Sequence, residues 1–186
     1  MKFGIRFKKP KKTGFDYEKF EMGLLAAVEE YAKLQLLKKD DFYIMSIEYF
    51  PEFTTFVAIR ANTYSHLKEK AGESEKDYTY YKFCEEEWEL CESLEEISKD
   101  LQAEYEEMEA KYDDEKFAEL QTEHVVKIIA ACKSVMNKFK ETDTYKSFSK
   151  LYLNVYIREY FTKEETIQMF CELNGEDTIE EYSDWL

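Results

Sequence analysis

The chain is poor in the residues that interrupt or cross-link a fold. Two prolines, five glycines and four cysteines occur in 186 residues. So few breakers leave room for long regular elements and little irregular connection. The cysteines, Cys84, Cys91, Cys132 and Cys171, are scattered and form no C-x-x-C pair, so neither a disulfide framework nor a structural zinc site is expected. They read as buried free thiols of a reducing cytoplasm, with Cys91, Cys132 and Cys171 among apolar positions and Cys84 the least enclosed. Histidine is scarcer still. His66 and His124 form no E-x-x-H or H-E-x-x-H spacing, which excludes a paired metal ligand on one helix face, and both read as structural or solvated. The dispersed glycines cannot build a phosphate cradle, and no G-x-S-x-G elbow is present. A nucleophilic Cys84 would stand directly before Glu85, Glu86 and Glu87, whose charge disfavours a thiolate. No apolar run reaches the roughly 18 residues that a membrane span requires. The basic N-terminus is followed by no apolar core or cleavage site of a secretory signal. These absences leave no expected catalytic residue, metal or cofactor, and point to a cytoplasmic, non-enzymatic protein.

What is present is apolar and acidic at once. Hydrophobic residues make up 44% of the chain and aromatic residues 17%, which is too much for a disordered acidic protein and enough for a real core. A single α+β domain over residues 1–186 is expected, with residues 1–13 forming either a basic arm or a short edge strand. The formal net charge is −15. Positions 84–123 hold seventeen acidic and three basic residues, while the first twelve positions hold six Lys and Arg. The negative charge is therefore local. Such a surface repels nucleic acid and anionic membrane and attracts cationic proteins.

Periodicity orders the rest. Tyr17, Phe20, Leu24, Ala27, Tyr31 and Leu34 recur every three or four positions and predict an amphipathic helix over 17–37. Residues 42–50 and 53–60 are rich in β-branched and aromatic residues and predict a hairpin turned at Pro51-Glu52. Asn62 or Thr63 caps a short helix ended near Gly72, and 77–83 reads as another short strand. Trp88, Cys91, Leu94, Ile97, Leu101, Tyr105, Met108 and Tyr112 fit one helical stripe, with a capping box at Ser93 and Glu96 or an earlier start near Glu85. Asp113 and Asp114 break that helix and cap a second one that reaches Phe139. Clean alternation over 151–160 predicts a strand. Thr162 and Glu165 open a final helix stopped at Asn174-Gly175, after which 178–186 forms a last turn that docks Trp185 and Leu186. The sum is a small, mostly antiparallel sheet with long amphipathic helices packed on one face.

A family pattern runs through these elements. Asn62 and Thr63 follow the second strand; Tyr81, Lys82 and Phe83 then lead to Glu87 and Trp88. This resembles a family of short bacterial proteins catalogued as a domain of unknown function (type 4303). The resemblance implies immunity proteins kept beside polymorphic toxin genes, which need a stable cytoplasmic fold and one surface complementary to a cognate toxin domain. A cationic toxin would suit the acidic helices around 85–107. Glu86, Glu89, Glu92, Glu96, Asp100 and Glu107 are the expected rim charges, and Trp88 or Tyr105 the aromatic anchor. The alternative is a housekeeping scaffold with an unknown or homomeric partner.

Overall fold

The expected first helix forms as α1 (Tyr17–Lys38) in the computed structural model, which describes residues 14–38, 41–51, 56–157 and 160–185. Its inner stripe is Phe20, Leu24, Val28 and Tyr31, continued by Ala32 and Gln35. Strands β1 (Phe42–Phe50) and β2 (Phe56–Thr63) pair antiparallel, and the turn between them falls outside the described residues. Thr63 then caps α2 (Tyr64–Ala71) by accepting the His66 N–H at 3.1 Å. Helix α3 (Glu75–Phe83), one 3₁₀ turn (Glu85–Glu87), β3 (Leu90–Ser93), α4 (Glu95–Lys111) and α5 (Asp114–Lys140) follow. A short α6 (Asp143–Lys146) leads to β4 (Tyr152–Ile157), and α7 (Lys163–Asn174), a second 3₁₀ turn (Glu176–Thr178) and α8 (Ile179–Trp185) complete the order. The sheet runs β3-β2-β1-β4, antiparallel except for the β1–β4 pair.

Two expectations are corrected. Residues 77–83 are helix, not strand: the Ser74 hydroxyl accepts the Asp77 N–H at 3.2 Å and starts α3. The exposed Tyr78 and Tyr80 keep a strand-like alternation, but the adjacent Lys82 and Phe83 are both buried, which strand alternation does not allow. The first acidic helix also begins ten residues later than Glu85, at Glu95, and Ser93 forms no capping box, because Leu94 occupies the cap position without a side-chain bond. Residues 90–93 are drawn out of the helical pattern by the open edge of β2, where Ala58, Ile59, Arg60 and Ala61 pair with Ser93, Glu92, Cys91 and Leu90. A ladder of backbone hydrogen bonds outweighs a helical period carried by only Trp88 and Cys91 at this end.

The capping predictions at Asp113 and Thr162 hold. Asp113 accepts the Lys116 N–H at 2.9 Å, and Thr162 and Glu165 form a reciprocal capping box. Gly175 stops α7 at a φ of 103°, a conformation that favours glycine. The docking of Trp185 is seen, whereas Leu186, the basic arm or edge strand at 1–13 and the positions 158–159 of the last strand lie outside the described residues.

Helices cover both faces of the sheet, not one. Met45, Ile47 and Tyr49 of β1, Val57, Ile59 and Ala61 of β2 and Leu153, Val155 and Ile157 of β4 pack with α1, α4 and α5 in the larger core. The opposite face holds Ile44 and Tyr152 against Leu67, Phe83, Phe170 and Tyr182 from α2, α3, α7 and α8. An irregularity between Phe42 and Ile44 sends Phe42 to the first core and Tyr43 to the second. Leu24, Ile47 and Leu101 are wholly buried, so truncating any of them to alanine is expected to cost about 2–5 kcal/mol.

Candidate functional site

The acidic block runs through four elements, the first 3₁₀ turn, β3, α4 and the start of α5. Fourteen of the seventeen acidic side chains in 84–123 are exposed; Glu85 is buried and Glu87 and Glu104 are half-buried. On α4, Glu96, Asp100 and Glu107 lie within about 40° of one another around the axis, so they form one stripe. Glu86 projects from the 3₁₀ turn, Glu89 from the connection after it and Glu92 from β3, so the six rim positions span the turn, the sheet edge and the helix. Several have local partners. Asp100 receives Lys19 at 2.7 Å, Glu96 receives Lys99 at 2.7 Å, and Glu89 accepts the Thr63 hydroxyl. The Lys19–Asp100 pair lies in a groove of about 440 Å³ between α1 and α4, floored by Phe15, Phe20 and Ile97.

The two aromatic candidates part company. Tyr105 is half-buried, stands edge-on to Phe117 at 5.0 Å and accepts the Gln121 amide at 2.9 Å. Trp88 is corrected: at 5% exposure it belongs to the second core and is not a surface anchor. It sits between a 3₁₀ turn and a strand, so its side chain turns under the sheet rather than along a helix.

Beneath that surface lies a polar layer that the sequence reading missed. Strand register places Arg60, Ser46 and Asn154 in one row and Glu48 beside Tyr156 in the next, all on the face covered by α2, α3 and α8. Glu48 takes the Arg60 Nε at 2.5 Å, and Arg60 also donates to the Glu85 carbonyl at 3.3 Å. The Glu85 carboxyl accepts the Asn154 amide at 2.5 Å, with the Tyr182 hydroxyl 3.5 Å from the same amide. Burial pushes Glu85 up to about 8, opposed by a backbone hydrogen bond and the Asn154 amide, while the Glu48 charge adds to the rise. Burial is the largest single influence and works against the Arg60 charge, but the Glu48 hydrogen bond and the charges of Glu48 and Glu85 together hold Arg60 above its ordinary value. Glu48 and Glu85 are 1% and 2% exposed, so the layer is filled by its own side chains. It fastens the 3₁₀ turn to the sheet.

The family-pattern residues converge on the same face and serve the same end. Asn62 donates to the Tyr43 hydroxyl at 3.2 Å and the Tyr81 carbonyl at 3.4 Å, and Tyr43 donates to the Lys82 carbonyl at 3.0 Å. Thr63 caps α2, and the His66 ring nitrogen lies 3.1 Å from the Glu87 carbonyl. Phe83 packs edge-on to Tyr182 at 5.0 Å, and Lys82 pairs with Glu181. The other histidine, His124, is buried on α5 and shares a 2.7 Å hydrogen bond with Tyr17; burial, then the Lys127 charge, pushes it down to about 4.

Cysteine placement follows the corrected elements. Cys132 is buried and Cys84 and Cys171 are half-buried, but Cys91 is exposed because it lies on the outer strand β3 instead of a helical stripe. The Cys84 thiol is raised first by burial and only secondarily by Glu85 and Glu86. A second groove, of about 390 Å³, separates β3 from the C-terminal half of α1 and is lined by Glu30, Leu34, Gln35, Glu89, Cys91 and Glu92 among others. Among the described residues, no group of three or more His, Cys, Asp or Glu is placed to hold a metal ion, and no helix is long and apolar enough to cross a membrane.

No curated protein and no solved structure matches the chain. A family model described as Domain of unknown function (DUF4303) matches residues 24–175, from the first core helix to the glycine that closes α7. The chain belongs to the DUF4303 family.

Proposed function

We propose that the protein is a non-catalytic, immunity-type protein that neutralises a cationic toxin domain in the cytoplasm by binding it on the acidic surface of residues 85–107. One observation supports this most. The apolar stripes of α4 and α5 are consumed in the protein's own core, yet fourteen acidic side chains around them stay exposed among three lysines. Concentrated like charge destabilises its own helices. A basic partner relieves that repulsion on binding and is steered toward it from a distance. Glu86, Glu89, Glu92, Glu96, Asp100 and Glu107 supply the field, and Tyr105 is the half-exposed aromatic beside them.

Affinity capture from the host tests this reading, with the native chain and a Glu92→Lys, Glu96→Lys, Asp100→Lys variant as baits. The expected result is a basic protein retained by the native chain and lost by the variant. Its expression should arrest growth unless the native chain is co-expressed, and its association rate should fall steeply with the variant at low salt. Equal retention by both baits would remove the acidic surface from the interface. A partner that is harmless on its own would refute the immunity role.

A further inference from the structure

The outer strand β3 has one edge paired with β2, and among the described residues no strand pairs with the other. Leu94 donates its N–H to the Val57 carbonyl at 2.9 Å. Alternation along an antiparallel ladder then turns Leu90 and Glu92 toward β2, and directs the backbone groups of Cys91 and Ser93 away from the sheet. The groove beside that edge carries three exposed carboxylates, Glu30, Glu89 and Glu92, against one exposed lysine, Lys38, and a half-open apolar wall at Leu34, which is 49% exposed. Gln35 lines the same groove, is 3% exposed, and its side-chain oxygen has no hydrogen-bond partner among the described residues. A buried acceptor left without a donor is unfavourable, and an incoming N–H or ammonium group would relieve it.

We infer that the free edge of β3 is a strand-addition site for an extended segment of a cationic partner protein. Main-chain bonds to Cys91 and Ser93 would hold the segment, and its lysine or arginine side chains would meet Glu30 and Glu92. Charge decides the class of occupant. Edge strands are commonly guarded by charged side chains against pairing with further copies. Here the guard is negative on a chain of net charge −15, so it repels a second copy and admits a cationic strand. Strand addition takes affinity from the backbone and selectivity from alternate side chains, which suits a four-residue edge flanked by acids. The inference rests on the proposed cationic partner, but adds a docking mode and a location separate from α4.

The test uses the full chain and a short capped peptide of alternating lysine and valine, with a control of equal charge whose backbone is N-methylated at alternate positions. Amide exchange across the protein and alkylation of the Cys91 thiol are followed at low salt. At a peptide concentration about ten times its Kd, exchange at Cys91 and Ser93 should slow about tenfold, since protection scales with one plus ligand over Kd. Cys91 should be shielded from alkylation, and the N-methylated control should protect neither. Cys91→Pro, a substitution that an edge strand tolerates, should abolish the protection at Ser93, the amide that remains to report, and leave the fold intact. If both peptides act equally and only at α4 and α5, the edge site is wrong and the acidic-surface reading stands. If neither peptide perturbs any part of the chain, both fail. Cys91 and Ser93 amides already protected in the peptide-free protein would assign the edge to this chain or a second copy, and would overturn the proposal.

Discussion

The buried Glu85 carboxyl ties charge to stability in this protein. Its folded value of about 8 stands above the ordinary 4.5, so the folded state holds the proton more tightly than the unfolded one. Its contribution is therefore complete below about 4.5, is lost as pH rises through about 8, and is constant beyond. His124 acts oppositely: a folded value near 4 against 6.5 makes its neutral form stabilising, so stability falls as pH drops through that window. The two slopes oppose each other where the windows overlap; above that Glu85 leads up to about 8, and the Cys132 thiol and the Tyr17 hydroxyl, each pushed up to about 12 mainly by burial, take over at higher pH. Glu85→Gln keeps an acceptor for Asn154 and removes the ionisable group. Chemical denaturation at a series of pH values should show the variant more stable than the native chain near pH 8, by something on the order of a few kcal/mol, with the native chain's decline up to about 8 much reduced. A wild-type slope in the variant would place the titrating group elsewhere. Part of this layer was legible from the sequence. Glu48 interrupts an apolar strand, Arg60 and Asn62 stand two apart in the next, and Asn154 repeats the pattern in a third. Glu85 itself was not legible, because it heads an acidic run that reads as solvated, and only strand register brings Asn154 to it.

Among the elements, those with long stripes could be read and the short ones could not. Helices α1 and α5 each carry enough periodic apolar residues to fix their type, and β4 alternates over its whole length. Residues 77–83 and 90–93 are too short for periodicity to decide. Their form is set by the Ser74 cap in one case and by the open edge of β2 in the other, and only the first leaves a trace in the local sequence. The capping reading at Asp113 has a measurable weight. Asp113→Ala should lower global stability by about 1 kcal/mol in denaturant titrations, while Asp113→Asn, which keeps an oxygen for the Lys116 N–H, should lower it much less. Equal losses would mean that the carboxylate charge at the helix N-terminus, and not the hydrogen bond, is what counts.

For the molecule as a whole, a net charge of −15 gathered on one surface means that the folded state works against its own field. Added salt should screen this repulsion and raise the thermal midpoint, by the equivalent of about 1 kcal/mol between low and physiological ionic strength. A midpoint that falls with salt would show that favourable pairs such as Lys19–Asp100 and Lys127–Glu123 outweigh the repulsion. The parallel pairing of β1 with β4 bears on how the chain is made. Ile44 meets Tyr152 and Tyr49 meets Ile157, so a central strand of the sheet waits for a partner synthesised after the whole α4–α5 hairpin. On the ribosome, everything from α1 to α6 emerges while one side of β1 is still bare. Contacts this distant in sequence close slowly, and an unpaired apolar strand is a template for mispairing. A translation stall before Tyr152 would therefore leave β1 with one bare edge and the second core without Phe170 and Tyr182, so both cores wait for β4 and the helices that follow it.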